Sequence, residues 1–187
     1  MGYAIAKSLA ERGALVILIS GHVMLPPIKH KNIKLIKVLS AEEMKTQVFK
    51  YLKKADGFIF AAAVSDYKPI IQKNKKIKRE KQNELTITLT KNPDIAFEVG
   101  KVKKDNQISV GFALETDNFI ENAQKKLKSK NLDFIVLNTA DGKTTGFGTD
   151  TNKITIIDKY NKVTNYKLKT KSKVAEDIVD YLQNFKK

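Results

Sequence analysis

The stretch ISVGFALETDNFIENAQKKLKSKNLDFIVLN, residues 108–138, decides the fold class of this chain. It opens and closes on short apolar runs rich in β-branched residues, which is typical of buried strands. The polar segment between them indicates a helix that is capped near Thr116 or Asp117 and runs to about Lys130. Strand, helix and strand in this order predict two parallel strands joined by a crossover helix.

The same alternation continues in both directions along the chain. Further predicted strands cover residues 14–20, 33–39, 57–64 and 85–90, and residues 153–158 and 162–169 are predicted to form a hairpin around Tyr160-Asn161. Further predicted helices cover residues 1–10, residues 41–54, the segment opened by Asn92-Pro93-Asp94, and residues 172–185. Ser40 with Glu43 three residues later is a capping box, and Pro93 is expected in the first turn of its helix. We therefore expect an α/β domain with a mainly parallel sheet.

The composition indicates one domain with a buried core. The chain has 187 residues, of which 42% are hydrophobic. No window approaches the uninterrupted apolar length of a membrane span, and residues 1–10 lack the pattern of a secretory signal. The chain has no cysteine, which excludes disulfides and thiolate metal sites and fits a reducing compartment. We expect a cytoplasmic domain covering residues 1–187, with no membrane partner.

Lysine dominates the charge of the chain. It has 35 Lys and Arg residues against 20 Asp and Glu, a formal net charge of +15, yet only Arg12 and Arg79 are arginines. Such an excess raises the local concentration of anions, whether nucleoside triphosphates or nucleic acid. Arginine is favoured for planar contacts to phosphates and base edges, whereas lysine acts as a point charge. The alternative is a surplus that reflects solubility or genome composition.

Polar pairs follow three of the predicted strands: Ser65-Asp66, Glu115-Thr116 and Asn138-Thr139. In open parallel sheets the ligand crevice lies beyond the carboxyl ends of the strands, so these pairs are expected to converge there. Asp66 is suited to bind a ribose hydroxyl, an amine or Mg²⁺. The alternative is a plain cap of a turn or helix.

Two basic segments are candidates for phosphate contacts. On the helix that carries Lys125 and Lys128, Lys126 and Lys130 are four residues apart, so they share a face and could clamp one polyphosphate. The alternative is a solvated lysine face. The lysine-rich residues 73–81 suit either a mobile loop that folds over phosphates or a disordered basic loop.

Loop motifs narrow the possible functions of the chain further. The Asn92-Pro93-Asp94 helix start directs free amide groups towards an anion. Gly146-Phe147-Gly148 is too short to cradle a phosphate, and neither a G-x-G-x-x-G fingerprint nor a Walker-type lysine loop is present. These absences argue against a dinucleotide oxidoreductase and a P-loop NTPase. The residues alone predict an anion-binding α/β domain.

Seven segments of the chain form an ordered set of motifs: MGYAIA (1–6), AAAVSDY (61–67), KIK (76–78), LT leading to KNPDI (85–95), VGFALET (110–116), the span from Lys126 to KNLD (126–133) and FGTDTN (147–152). In this order they resemble the bacterial phosphopantothenate–cysteine ligases, the synthetase half of the phosphopantothenoylcysteine decarboxylase/synthetase family. The resemblance implies a Rossmann-like three-layer domain with a C-terminal hairpin and a flap strand that serves in homodimerisation.

The reaction implied by the resemblance has two halves. The carboxylate of 4′-phosphopantothenate attacks the α-phosphorus of CTP in the presence of Mg²⁺, which gives an acyl-cytidylate and pyrophosphate. The amine of cysteine then attacks the activated carbonyl and releases CMP. The KNPDI segment resembles the CTP-using branch of the family. This reading implies small-molecule partners and no nucleic acid.

Site residues are carried over from the family position by position. The resemblance makes Lys76 the catalytic lysine on the flap, makes Asp66 a ligand of the nucleotide or its metal, and puts Phe112 beside the nucleotide. The other matching nucleotide-binding positions are Ala62, Ala63, Pro93, Asp94, Ile95, Ala96, Lys126 and Lys130. Lys125 and Lys128 match no family residue.

The resemblance departs at the N-terminus. Family members have a strand, a glycine- and threonine-containing loop and an asparagine-bearing stretch before the position of Met1. We therefore expect residues 1–187 to be an N-terminally incomplete synthetase domain that is poorly stable alone and forms no product. The alternatives are a lysine-rich RNA-binding α/β domain, with steep salt dependence, and a dinucleotide-dependent reductase, which would bind NAD(P)H.

Overall fold

The computed structural model describes residues 1–72, 75–77, 85–114, 119–138 and 150–185. The helices are α1 (Gly2–Glu11), α2 (Ala41–Tyr51), α3 (Ile95–Val102), α4 (Phe119–Ser129) and α5 (Lys171–Phe185). The strands are β1 (Val16–Ser20), β2 (Ile33–Lys37), β3 (Gly57–Phe60), β4 (Tyr67–Pro69), β5 (Leu89–Lys91), β6 (Ile108–Leu114), β7 (Phe134–Asn138), β8 (Thr151–Asn152), β9 (Ile154–Asp158), β10 (Val163–Asn165) and β11 (Lys169–Thr170). Within these ranges no helix is both long and apolar enough to cross a bilayer.

A five-stranded sheet in the order β10-β9-β7-β6-β3 forms the centre of the fold. Strands β3, β6 and β7 are parallel, and β9 and β10 extend the sheet as antiparallel strands. The predicted α/β class with a mainly parallel sheet is confirmed. The predicted hairpin after residue 153 is confirmed, and Asn161 makes its turn with a positive φ of 64°. Its second strand was expected to reach residue 169 but ends at Asn165, and β11 pairs with β8 instead.

Helices cover both faces of this sheet because β6 and β7 are apolar on both sides. Val110, Phe134 and Val136 belong to a cluster with residues of α1 and α5. Ile135 and Leu137 belong to a second cluster on the opposite face, with Ala123 and Leu127 of α4 among its members. Alternate residues of one strand thus enter two different cores, and the result is a three-layer domain.

Strands β1 and β2 form a separate parallel pair. Residues 14–20 were expected to be a buried strand, and this prediction is wrong in part. The strand begins at Val16, Leu15 is 85% exposed, and Ile17 is 37% exposed. Among the described residues, β1 pairs with β2 alone and makes no ladder with β3. Apart from Ser20, its residues are half-buried or exposed.

Three other sequence predictions need correction. A strand was expected over residues 85–90, but the structure has one only at Leu89–Lys91. The strand expected over residues 57–64 ends at Phe60. Pro93 lies before the first helical residue of α3, because Asp94 is the N-cap. Hydrophobic alternation occurs in exposed extended segments as well as in paired strands. For this reason it predicts longer strands here than the structure has.

The capping box at the start of α2 is confirmed, except that its second hydrogen bond involves the residue before the N-cap. The Ser40 hydroxyl accepts a hydrogen bond from the Glu43 N–H at 3.1 Å. The Glu43 carboxylate accepts from the N–H of Leu39, one residue before the cap, at 2.8 Å. Two backbone donors at the start of the helix are satisfied in this way.

Asp133 anchors the amino ends of β6 and β7. Its carboxylate accepts hydrogen bonds from the Ser109 N–H at 2.8 Å and from the side-chain amines of Lys103 at 2.6 Å and Lys159 at 2.8 Å. Burial disfavours the charged form, but the hydrogen bonds from Lys103, Lys159 and Ser109 outweigh it and hold the pKa of Asp133 below its usual value. The carboxylate is therefore ionised in the folded protein and ties four segments together.

We predict that Asp133→Asn lowers the free energy of unfolding by about 3–5 kcal/mol, because it leaves the buried amine of Lys103 without its counter-charge. Since the folded-state pKa of Asp133 is lowered, its contribution is present above its unfolded pKa of about 3.9. It is lost as the pH falls through the folded value. Urea unfolding from pH 7 to pH 3 measures both effects. Glu121→Gln, which removes the exposed partner of Lys125, is the control, and an equal loss from it would contradict the anchor role.

Candidate functional site

Asn92 joins the loop after β3 to the start of α3. Its backbone N–H donates to the Asp66 carbonyl at 2.8 Å, and its side-chain amide donates to the carbonyls of Ser65 at 2.9 Å and Tyr67 at 3.4 Å. The short β4–β5 pairing, with Tyr67 opposite Lys91, brings the two segments together. Asp66 and Asp94, predicted separately from distant motifs, are therefore close in the fold.

Asp94 has two roles at the start of α3. Its Oδ1 accepts a hydrogen bond from the Phe97 N–H at 3.1 Å, which caps the helix. The same carboxylate pairs with the Lys130 amine, at 3.2 Å from Oδ1 and 3.0 Å from Oδ2. A residue from the end of α4 thus reaches the start of α3, so two predicted site residues are joined directly.

A close approach between α3 and the end of α4 sets the position of Lys130. A Cβ placed on Gly100 would lie 2.0 Å from the Lys130 carbonyl oxygen, so only glycine fits there. The Asn131 side-chain amide donates to the Gly100 carbonyl at 2.9 Å, and Asn131 ends the turn with a φ of 49°. The backbone of Lys130 is fixed against α3, while its side chain extends towards Asp94.

The first turn of α3 presents backbone donors in the same place. Helical first-turn amides have no partner within the helix, and Asp94 caps only that of Phe97. The N–H groups of Ile95 and Ala96 therefore remain for an anion, which the helix dipole also favours. The Ile95 side chain is only 6% exposed, so any contact it makes with a ligand is through the backbone.

The carboxyl ends of β3 and β6 lie side by side in the central sheet. Phe60 is opposite Gly111 in the ladder, and Phe112 follows as a half-buried residue that packs against the α1–α5 core. Ala62 and Ala63, just beyond β3, are exposed. Ala61 lies beside Gly2, where an added Cβ would be 3.6 Å from the Ala61 Cβ, so the start of α1 is at the same edge of the sheet.

The lysines of α4 differ as their spacing predicts. Lys125 is exposed and pairs with Glu121 at 2.7 Å, one turn away, and Lys128 is exposed. Lys126 and Lys130 are half-buried and lie one turn apart along the helix end. The two lysines with family matches are thus set apart from the two without.

Some predicted residues are not brought to this site. Lys76 is described and exposed, but no hydrogen bond or ion pair within the described ranges connects it to Asp66 or Asp94. Glu115-Thr116, Thr139, Gly146-Phe147-Gly148 and most of residues 73–81 lie outside the described residues. Asn138 ends β7 opposite Leu114, and its buried Oδ1 has no hydrogen-bond partner in the described part of the chain. It is an acceptor available to a ligand N–H or O–H.

Sequence reasoning missed the roles of Asn92 and Gly100. Gly100 carried a usable signal, because glycine inside a helix costs about 1 kcal/mol relative to alanine and so indicates a close backbone approach. Asn92 belonged to the predicted helix start, but its bonds to the Asp66 loop depend on a tertiary contact that the sequence does not show.

Asp66 fits an ion that arrives with a nucleotide. Mg²⁺ bound to a nucleoside triphosphate is usually held by one or two carboxylates together with phosphate oxygens and water. Asp66 is exposed and supplies one carboxylate at the sheet edge. In the described part of the chain, no group of three or more His, Cys, Asp or Glu side chains could hold an ion by itself.

Comparison with known proteins identifies the family. The model of the DNA/pantothenate metabolism flavoprotein C-terminal domain matches residues 1–185. The chain belongs to this family. A crystal structure of the C-terminal domain of the coenzyme A biosynthesis bifunctional protein CoaBC is 34% identical, with a TM-score of 0.79 over 97% of this chain and 80% of that one.

Two longer relatives carry different names. The chain is 39% identical over 185 residues to the coenzyme A biosynthesis bifunctional protein CoaBC of Borreliella burgdorferi, which covers 97% of this chain and 45% of that protein. It is 50% identical over 179 residues to a cysteine/cysteine sulfinic acid decarboxylase of an unknown prokaryotic organism, which covers 96% of this chain and 49% of that protein. The chain spans about half the length of the curated relatives it matches.

We predict that Gly100→Ala lowers the free energy of unfolding by about 1–3 kcal/mol, because the added methyl overlaps the Lys130 carbonyl and forces α3 and α4 apart. Urea unfolding measures the loss. Gly21→Ala is the control, since its Cβ would meet no atom within 4 Å. If Gly100→Ala is as stable as Gly21→Ala, the close approach does not constrain the site.

Proposed function

We propose that this chain is a phosphopantothenate–cysteine ligase domain that acts in cytoplasmic coenzyme A synthesis. It would join 4′-phosphopantothenate to cysteine through an amide bond, with CTP as the activating co-substrate. The observation that carries the proposal is the linked set Asp66–Asn92–Asp94–Lys130. In this set, hydrogen bonds and an ion pair join residues from three of the family segments. The relatives named for coenzyme A biosynthesis support the same activity.

The proposed chemistry needs activation because a carboxylate is a poor acyl donor. Its oxygen attacks the α-phosphorus of CTP, the bond from that phosphorus to the pyrophosphate oxygen breaks, and pyrophosphate leaves. The cysteine amine then attacks the acyl carbon, the bond to the CMP oxygen breaks, and the amine loses a proton. Such a reaction depends mainly on orienting the reactants and neutralising phosphate charge.

The described residues offer the groups that these steps require. The α3 amides of Ile95 and Ala96 and the amine of Lys130 are donors for phosphate oxygens at one helix start. Phe112 and the exposed Ala62 and Ala63 provide apolar surface for the nucleoside beside Pro93. Lys126 adds positive charge one turn from Lys130, and Lys76 is proposed to join from the flap as the catalytic lysine.

Mg²⁺ is the proposed cofactor, held by Asp66 together with nucleotide oxygens. When bound, it would neutralise phosphate charge and polarise the phosphorus under attack. The other residues keep roles that do not depend on the ion: Asn92 fixes the backbone of Asp66, and Asp94 orients Lys130.

The direct test is release of pyrophosphate from CTP, measured with 4′-phosphopantothenate, Mg²⁺ and cysteine, together with mass spectrometry of the amide product. It compares residues 1–187 alone with the same residues joined to the upstream strand, glycine-containing loop and asparagine-bearing stretch of a family member. We expect the joined protein to release pyrophosphate only with phosphopantothenate and to form the amide only with cysteine, whereas residues 1–187 alone form no amide. Pyrophosphate release that does not depend on phosphopantothenate would contradict the proposal.

Decarboxylation of cysteine is the second candidate, because the relative with 50% identity carries that name. The chain spans 49% of that protein, and its name does not indicate which half acts on cysteine. Release of CO₂ from cysteine without CTP, and no amide product with CTP, would favour this candidate over the ligase.

We predict that Lys126→Ala and Lys130→Ala each weaken CTP binding by about 1–3 kcal/mol, the effect of removing one charge-assisted contact. Lys128→Ala, an exposed lysine on the same helix, should leave the affinity unchanged. Isothermal titration calorimetry with CTP and Mg²⁺ measures all three variants. Equal losses in the three would mean that the helix attracts nucleotides only through its general charge.

A homodimer is proposed through the β4–β5 hairpin and its flanks. Large apolar side chains remain exposed there, including Ile71 at 75%, Leu85 at 63% and Ile87 at 60%. Burial of such residues is worth about 1.5–3 kcal/mol each, so a second copy that covers them is favoured.

We predict that Ile87→Lys shifts a dimer to monomer in multi-angle light scattering at micromolar concentration. Leu168→Lys, at an exposed leucine elsewhere, should not, and a wild-type monomer would contradict this pairing.

A further inference from the structure

Two ion pairs connect α2 to the elements that carry the proposed nucleotide site. The Lys68 amine of β4 donates to the Glu42 carboxylate at 2.5 Å. The Lys45 amine pairs with the Glu98 carboxylate of α3 at 2.7 Å. Glu42 and Lys45 are three residues apart in α2, so they lie on one face of the helix. That face of α2 therefore contacts both β4 and α3 through charged groups.

The β4–β5 hairpin buries little apolar surface of its own. It forms a two-stranded sheet apart from the central one. All of its strand residues except Lys68 are exposed, with Tyr67 at 55% and Leu89 at 52%. Because apolar burial contributes so little here, the ion pair between Lys68 and Glu42 has a large share in fixing where β4 lies.

The hairpin in turn determines where Asp66 lies. Asp66 immediately precedes β4, and Asn92 immediately follows β5. Asn92 donates hydrogen bonds to the carbonyls of residues 65–67, so the Asp66 loop is tied to the end of the hairpin. Lys68 is two residues from Asp66, about 7 Å along an extended strand. A displacement of β4 therefore displaces the Asp66 carboxylate as well.

The second ion pair has a similar relation to α3. Glu98 lies one turn after the Asp94 cap, and its N–H donates to the Asp94 carbonyl at 3.0 Å. Lys45 and Glu98 are both half-buried. Their pairing holds the first turns of α3 against α2, together with the free amides of Ile95 and Ala96.

Glu42 carries the charge that the first pair requires. The hydrogen bond from Lys68 holds the pKa of Glu42 below its usual value, and the charge of Lys45 acts in the same direction. Glu42 is therefore ionised at neutral pH in the folded protein. Exposed ion pairs add little to global stability. The effect of this pair is expected in the position of the hairpin rather than in the stability of the domain.

We propose that α2 is a brace that sets the distance between Asp66 and the α3 amides, with Glu42 as the positioning residue on the Asp66 side. The inference rests on the proposed ligase function, in which Asp66 holds the Mg²⁺ of the nucleotide. Glu42 touches neither the nucleotide nor the ion, and it acts through Lys68 and β4. Glu98 acts on the α3 amides, which bind phosphate with or without the ion.

The test compares the affinity for CTP in Mg²⁺ with the affinity in EDTA, by isothermal titration calorimetry. Glu42→Gln should weaken CTP binding about two- to fivefold in Mg²⁺, a size limited to what one exposed ion pair contributes. It should not weaken CTP binding in EDTA, because nucleotide without metal does not use Asp66. The direction of the change is informative, since removal of a carboxylate makes the chain more positive. General electrostatics alone therefore predicts tighter binding of an anion.

Three further variants separate positioning from other effects. Glu98→Gln should weaken CTP binding in Mg²⁺ and in EDTA alike, because it acts on the α3 amides. Lys68→Arg keeps the charge that pairs with Glu42 and should bind CTP as the wild type does. Glu11→Gln is the matched control, because it removes the carboxylate of another exposed ion pair, the one with Lys7 on α1. It should change neither affinity.

The outcomes separate this inference from the proposed function. If Glu42→Gln binds CTP in Mg²⁺ as tightly as the wild type or more tightly, the brace is wrong while the ligase proposal stands. An equal loss in Mg²⁺ and EDTA would mean that Glu42 only supports the fold, which also contradicts the brace. If the loss requires Mg²⁺ but the joined protein of the ligase test releases no pyrophosphate, the brace stands and the ligase proposal fails. A wild-type chain that binds CTP no better in Mg²⁺ than in EDTA overturns the brace.

Discussion

Parallel pairing of β6 with β7 is the constraint from which the rest of the fold follows. Both strands bury apolar residues on both faces, so each face needs its own helical cover. The α1–α5 pair supplies one layer and α4 the other. Buried strands leave polar residues only at their ends, and Asp133 satisfies the amino ends internally. The carboxyl ends are left for ligands.

The candidate site is assembled by backbone contacts more than by side-chain packing. Asn92 donates hydrogen bonds to the three consecutive carbonyls of residues 65–67, and Gly100 lets the Lys130 backbone contact α3. These contacts have strict geometry. A substitution there would therefore displace the groups of the candidate site without changing the fold class.

Much of the fold could be predicted from the sequence, because its signals are local. The apolar run of β7 is confirmed at both ends, and the cap at Ser40 and the stripe of α5 depend on residues within one or two turns of each other. The split between β1–β2 and the central sheet could not be predicted, since a strand's own residues do not show which neighbour it pairs with. For the same reason the alternation of residues 85–90 was mistaken for a longer strand.

The sequence identified the candidate site residues but not the contacts that join them. Spacing put Lys126 and Lys130 on one face of the helix, and the family resemblance set them apart from Lys125 and Lys128. In the structure the first two are half-buried and the other two are exposed. The pairing of Lys130 with Asp94 could not be predicted without the fold, because the two residues are 36 positions apart in the sequence. The metal role of Asp66 and the catalytic role of Lys76 stay predictions that come from the family resemblance.

The ion pair between Lys130 and Asp94 bears on how a chain with a net charge of +15 could select one anion. General positive charge attracts any phosphate, so it gives rate and little specificity. A lysine held by a carboxylate has less positive potential, but its long side chain is already ordered before a ligand arrives. Both partners remain partly exposed, with side-chain exposures of 30% and 48%, so a phosphate can approach the amine while the aspartate still holds it. Selectivity at such a site comes from geometry. Only an anion that also contacts the α3 amides gains enough binding free energy to offset the positive charge of Lys130 that Asp94 already neutralises.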